Sequence, residues 1–172
     1  MIITTLLRYV PRCAAVALLA LPANGVVQEG GAREASPAPV AYPDAYRTWA
    51  HVKSALMTSE HPNYEQSGGF HHIYANGDAM TGYRTGTFPE GAIVVFDWIE
   101  ARQNQGMFIE GPRRRLDVMV KDKRYTDTGG WGFERFLEDS RTDRAVKSAA
   151  AECFACHNSR KTSDLVLSAL RK

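Results

Sequence analysis

Cysteine is scarce in this 172-residue chain, with only 3 present, too few for the disulfide framework of a small secreted domain. A structural zinc site built from two cysteine pairs is disfavoured too, since four ligands are needed and one Cys-x-x-Cys occurs. No apolar run reaches the roughly 20 residues that span a bilayer. Neither sign of charge is in excess: Lys+Arg number 21 against 19 Asp+Glu, and the basic residues are scattered apart from Arg113, Arg114 and Arg115. That balance argues against a nucleic-acid partner. No internal repeat is visible, and the length suits one domain of about 100–200 residues.

What is present begins with an address. Arg8 and Arg12 precede the apolar stretch CAAVALLA, Cys13 to Ala20, and LPANG follows as a small-residue processing site. Residues 1–23 therefore read as a secretory signal peptide. Cys13 does not suit lipid attachment, because Val10, Pro11 and Arg12 stand before it. Cleavage near Ala23 removes it, so the mature chain keeps Cys153 and Cys156. Residues 24–41, rich in Gly, Ala, Pro, Glu and Val, read as a flexible leader. A single domain over 42–172 is expected, exported to the periplasm and without a membrane span in the mature chain.

Within that domain, Asp44 is placed to cap a helix in which Tyr46, Trp49, Val52 and Leu56 share a face. His61-Pro62 ends it. FHHIYA after Gly68-Gly69 reads as a strand, and Asp78 to Tyr83 as one helical turn. AIVVFDWIEA is apolar on both faces and predicts a central strand. Glu110-Gly111-Pro112 predicts a break, and RRLDVMVKD a further strand with Leu116, Val118 and Val120 on one face. WGFERFLE reads as strand then turn, and DRAVKSAAAECFACH as a helix leading to the cysteines. The fold class is α+β, a mainly antiparallel sheet with flanking helices and a C-terminal helix that carries the two cysteines.

The chemistry is concentrated in CFACH, Cys153 to His157. In a c-type haem site each thiol adds across a porphyrin vinyl group, and the following histidine becomes the axial ligand of the iron. A thioredoxin-like dithiol would follow an early strand of a βαβ unit, which this order of elements lacks. One covalent haem c held by Cys153, Cys156 and His157 is therefore expected, and the signal peptide sends the chain where such attachment occurs. The segment after His157 contains neither methionine nor histidine, so any sixth ligand must come from Met57, Met80, Met107, Met119, His51, His61, His71 or His72. An open, five-coordinate iron is the reading adopted.

The blocks YRTWAHVKSALM, FHHIYAN, GYRTGTFPEGAIVVFDWIEA, GPRRRLDVMVKD, GGWGFERF and AAAECFACHNSRKTSDLVLS together resemble the cytochrome P-460 family, including its cytochrome c′-beta branch. The resemblance implies a mono-haem c-type cytochrome with an open distal side, whose relatives bind nitric oxide or oxidise hydroxylamine. Hydroxylamine-oxidising members carry a lysine bond to a porphyrin meso carbon. The matching stretch here, Gly82 to Phe88, holds Tyr83 and Arg84 and no lysine; the nearest upstream is Lys53. The expectation moves toward the c′-beta branch, with a hydrophobic distal cap for which Phe70 and Phe96 are the candidates. A small gaseous or nitrogenous ligand, a redox partner protein and a possible homodimer are the implied partners. An oxidoreductase on hydroxylamine or nitric oxide and a simple electron carrier stay open beside the ligand-binding reading. Asp97, Glu100 and Glu110 are possible bases near the pocket. Arg160 is a possible modulator of the proximal side, and Arg113 to Arg115 possible partners of the haem propionates or of an acidic redox partner.

Overall fold

A computed structural model describes residues 38–171 of the chain. The expected signal peptide and most of the expected leader lie outside that range. The core is a five-stranded antiparallel sheet in sequence order: β1 (Ala50–Met57), β2 (Gly69–Ala75), β3 (Ile93–Asn104), β4 (Met107–Lys121) and β5 (Trp131–Leu137). Short helices α1 (Tyr64–Ser67) and α2 (Gly77–Thr85) flank β2. Beyond β5 lies a compound helical segment, Ala150 to Ser163. Among the described residues no helix is long and apolar enough to cross a membrane.

β3 lies in the middle of the sheet, as its unbroken apolar run requires, and β-branched and aromatic side chains fill it. Alternation along the strands divides the domain into two cores. On one face Val94, Met119 and Phe133 sit side by side on β3, β4 and β5, packed with α2 and with Leu165 and Val166 of the C-terminal segment. On the other, Val95, Leu116, Val118 and Phe136 pack beneath Val40 and Tyr46. Each fully buried Leu or Val here stabilises the fold by roughly 1.5–3 kcal/mol. Leu116 and Val118 therefore share a face as the period of two predicts. The chain just before Tyr42 is packed as well: Arg144 Nη1 donates to the Val40 carbonyl at 2.8 Å.

Two expectations are corrected. The helix from Asp44 to Leu56 is absent; a single 3-10 turn, Tyr46–Thr48, leads into β1. Its apolar residues do not form one buried stripe: Tyr46 and Val52 are buried in different cores and Leu56 is exposed, Val52 being placed inward by a bulge between His51 and Lys53. Backbone pairing to β2 along the whole strand outweighs the helix preference of Ala, Lys, Leu and Met. Glu110-Gly111-Pro112 does not end a strand either, because β4 runs through it. The register slips there, Ile99 facing Arg113 while Ala101 faces Glu110, and a bulge tolerates a proline that cannot donate to the ladder. Gly69 is required where β2 meets β3: its φ is 109° and a Cβ would lie 2.2 Å from the Ile99 carbonyl oxygen.

Candidate functional site

The attachment helix begins later than its alanines suggest, since Ala145 N still bonds the Arg135 carbonyl of β5. Ser148 and Glu152 start it. The Glu152 carboxylate accepts from the Lys147 and Ser148 backbone N–H groups at 2.9 and 2.8 Å, and Ser148 Oγ accepts from Ala151 N at 3.3 Å, a local device that satisfies N-terminal donors. The winding is π-type over Ala150–Phe154, becomes α3 (Ala155–His157), and tightens to 3-10 over Asn158–Ser163. Departures of this kind inside a helix are often found at functional sites.

Cys153 and Cys156 are both free thiols. Burial pushes the Cys153 thiol up to about 11, against the opposing charge of Arg135. His157 lies beside Phe133, ring centroids 5.0 Å apart, and its Nδ1 is 2.8 Å from the Leu165 carbonyl oxygen. A carbonyl only accepts, so Nδ1 carries the proton and Nε2 offers its lone pair. Burial lowers the pKa of His157, which favours this neutral, ligating form.

Both cysteines and His157 line one cleft of about 210 Å³ against the sheet. The facing wall is built by register. Val94 and Met119 form an apolar row, Phe96, Asp117 and Arg135 the next, and Trp98 the third, with Arg115 paired across from it on β4. Asp117 is clamped from both sides: Arg135 Nε donates to it at 2.7 Å and Arg115 Nε at 3.2 Å. That bond from Arg135 to Asp117 raises the pKa of the Arg135 guanidinium. Arg115 lies over the Trp98 ring at 3.8 Å, and its burial lowers its pKa.

The candidates read from the sequence separate clearly. Phe96 lines the cleft. Phe70 does not: it lies on the opposite face, stacked on His72 with centroids 5.8 Å apart, because it alternates with His71 along β2. Asp97 also belongs to that face, fully buried and bonded to Tyr46, Arg47 and Arg113. Glu100 pairs with Arg102 and Glu110 with His72, both at the surface. Arg160 is exposed. None of Arg113 to Arg115 lines the cleft: Arg113 binds Asp97, Arg114 donates to the Gly68 carbonyl and Arg115 to Asp117. Lys53 is on β1, not on a helix, and among the described residues no lysine lines the cleft.

Sequence reasoning missed Asp117, Arg135, Trp98 and Phe133 as wall residues. The signal was available: once Leu116, Val118 and Val120 are assigned to one face, Arg115, Asp117 and Met119 must occupy the other.

The donor set fits a covalently attached haem. Two free thiols three residues apart precede an imidazole with a free Nε2, all on one cleft with a largely apolar wall. The buried Trp98 Nε1 has no acceptor, leaving a donor for a polar group brought by the cofactor. A profile described as Cytochrome P460 matches residues 43–168, a span that holds every strand and the whole attachment segment. No curated protein matches the chain. By that match the chain belongs to the cytochrome P460 family, haem proteins whose cofactor is covalently attached.

Proposed function

We propose that this chain is an exported mono-haem c-type cytochrome of the periplasm, with Cys153 and Cys156 as thioether attachments and His157 as the iron ligand. Its sixth position is open to nitric oxide or a similar small ligand, with one-electron redox exchange through a partner protein. A homodimer and a place in the c′-beta branch belong to the same reading.

The observation that supports an open position is where the possible sixth ligands lie. His71 Nε2 bonds the Ser67 carbonyl oxygen, His72 bridges Ser54 and Glu110, and His51 bonds Ser54. Met107 is exposed on the β3–β4 hairpin. Of the histidines and methionines named above, only Met119 reaches the cleft, and it is packed into the apolar row beside Val94 and Phe133.

Hydroxylamine oxidation is a second reading, favoured by the Asp117 carboxylate in the cleft wall, a group of the right type to accept a proton. Its oxygens already accept hydrogen bonds from Arg135 and Arg115, and among the described residues no lysine lines the cleft to form the additional bond. Absorption spectra of the haem-loaded protein, ferric, ferrous and ferrous with nitric oxide, test both. A high-spin ferrous Soret band that moves with nitric oxide is expected. A low-spin ferrous spectrum indifferent to it would mean an electron carrier, and a strongly red-shifted ferrous band a lysine cross-link.

A further inference from the structure

The turn behind the histidine is held in an uncommon conformation. Asp164 and Leu165 have φ of 48° and 67°, two successive left-handed residues without a glycine, which persist only where the surroundings fix them. The Asp164 carboxylate does so by reaching three parts of the scaffold. Oδ2 accepts from the Phe88 backbone N–H at 2.9 Å, and Oδ1 from Lys121 Nζ at 2.6 Å and Trp131 Nε1 at 3.4 Å. Leu165 N donates to the Arg160 carbonyl at 2.9 Å, and the Leu165 side chain is buried. Gly129 makes room for it, since a Cβ there would lie 2.9 Å from Leu165 Cδ1. The carbonyl that leaves this turn is the one that accepts from His157 Nδ1 at 2.8 Å.

The geometry points to Asp164 as a positioning residue for His157. By tying the left-handed turn to β4, β5 and the Phe88 loop, it holds the Leu165 carbonyl on the imidazole N–H and so sets both the ring's orientation and its donor strength toward the iron. This rests on the haem reading above. Asp164 itself touches neither cleft nor histidine; it acts through the backbone of its neighbour. An axial histidine whose second nitrogen is held by an acceptor is the stronger donor and favours the ferric state. Loosening the turn weakens that donation and raises the reduction potential.

The test compares haem-loaded wild type with Asp164→Ala, Asp164→Asn and Lys121→Gln. It reads the ferrous iron–histidine stretch by resonance Raman and the reduction potential by redox titration. Asp164→Ala is expected to lower the stretching frequency and raise the potential. Asp164→Asn, which keeps an acceptor oxygen for Phe88 N, shifts both less, and Lys121→Gln least. Loss of thermal stability with stretch and potential unmoved would overturn the inference, since a purely structural anchor predicts that pattern. Should Asp164→Ala not fold, an unmoved stretch in both milder variants overturns it equally. A wild type that takes up no covalent haem would overturn the cofactor reading, and this inference with it.

Discussion

Two carboxylates one register step apart meet opposite fates in this sheet. Asp97 pairs across to Leu116, and its neighbour Phe96 pairs to Asp117. The period of two sends Asp97 to one face and Asp117 to the other. Asp97 is sealed at 0% exposure, taking hydrogen bonds from Tyr46 Oη at 2.7 Å, Arg113 Nε at 2.7 Å and Arg47 Nη2 at 3.0 Å. Burial, with Asp97 beside it, pushes the Tyr46 hydroxyl far above its ordinary value. The Asp117 side chain keeps 25% of its surface and opens on the cleft that holds His157. A charge fully enclosed by partners organises a core, whereas a charge with one side free can meet a ligand.

If the cleft face alone carries the chemistry, emptying it should leave the other face standing. His157→Ala, or Cys153→Ala with Cys156→Ala, is expected to abolish stable covalent haem, measured as the c-type haem that survives acid-acetone extraction. Arg47, Arg113 and Tyr46, which touch none of the attachment residues, should retain their protection in hydrogen exchange. Haem retained at wild-type level in the double cysteine variant would refute the attachment assignment.

The two aspartates give the next largest contrast. Asp97→Ala removes the enclosed carboxylate and leaves Arg113 with the exposed Asp139 and the Tyr46 hydroxyl; removing one partner of a buried pair costs about 3–5 kcal/mol, read from urea denaturation of the haem-loaded protein. Asp117→Asn changes a partly exposed partner, for which about 0–1 kcal/mol is expected, but it should change the nitric oxide association rate at the ferrous haem. Equal stability losses, or ligand kinetics altered by Asp97→Ala and not by Asp117→Asn, would contradict the division between the faces.

The same division explains what the sequence disclosed. The sheet, its central strand and the CFACH site were legible because each rests on local pattern: a doubly apolar run, an alternation, a spacing of thiols. Which aromatic faces the cleft was not. Phe70 and Phe96 are both aromatic strand residues, and only the pairing of Phe70 with Ile99 and of Phe96 with Ile73 assigns them to opposite faces. The first helix failed for a related reason, since the bulge at His51/Lys53 that lets Val52 reach the core is set by β2 and not by the local sequence. Phe96→Ala should therefore speed nitric oxide binding and Phe70→Ala leave it unchanged, by flash photolysis.

The smallest effect expected is a pH dependence belonging to the cleft face. His71 lies on it, paired to Trp98 with ring centroids 4.0 Å apart, and its Nε2 is bonded to the Ser67 carbonyl oxygen. Burial lowers its pKa; the Ser67 bond opposes this, while Arg115, His72 and Arg114 add to it. The folded protein thus resists protonating a group that the unfolded chain protonates near pH 6.5. As pH falls below about 6.5 the unfolded state binds more protons and stability declines, levelling once folded His71 itself takes a proton. Above that pH the contribution is fully present. Urea midpoints of the haem-loaded protein between pH 8 and pH 5 should fall in the wild type and fall less in His71→Gln. Parallel slopes in the two proteins would mean that His71 titrates alike in both states, and that the Ser67 bond has offset the whole cost of enclosing the ring against Trp98.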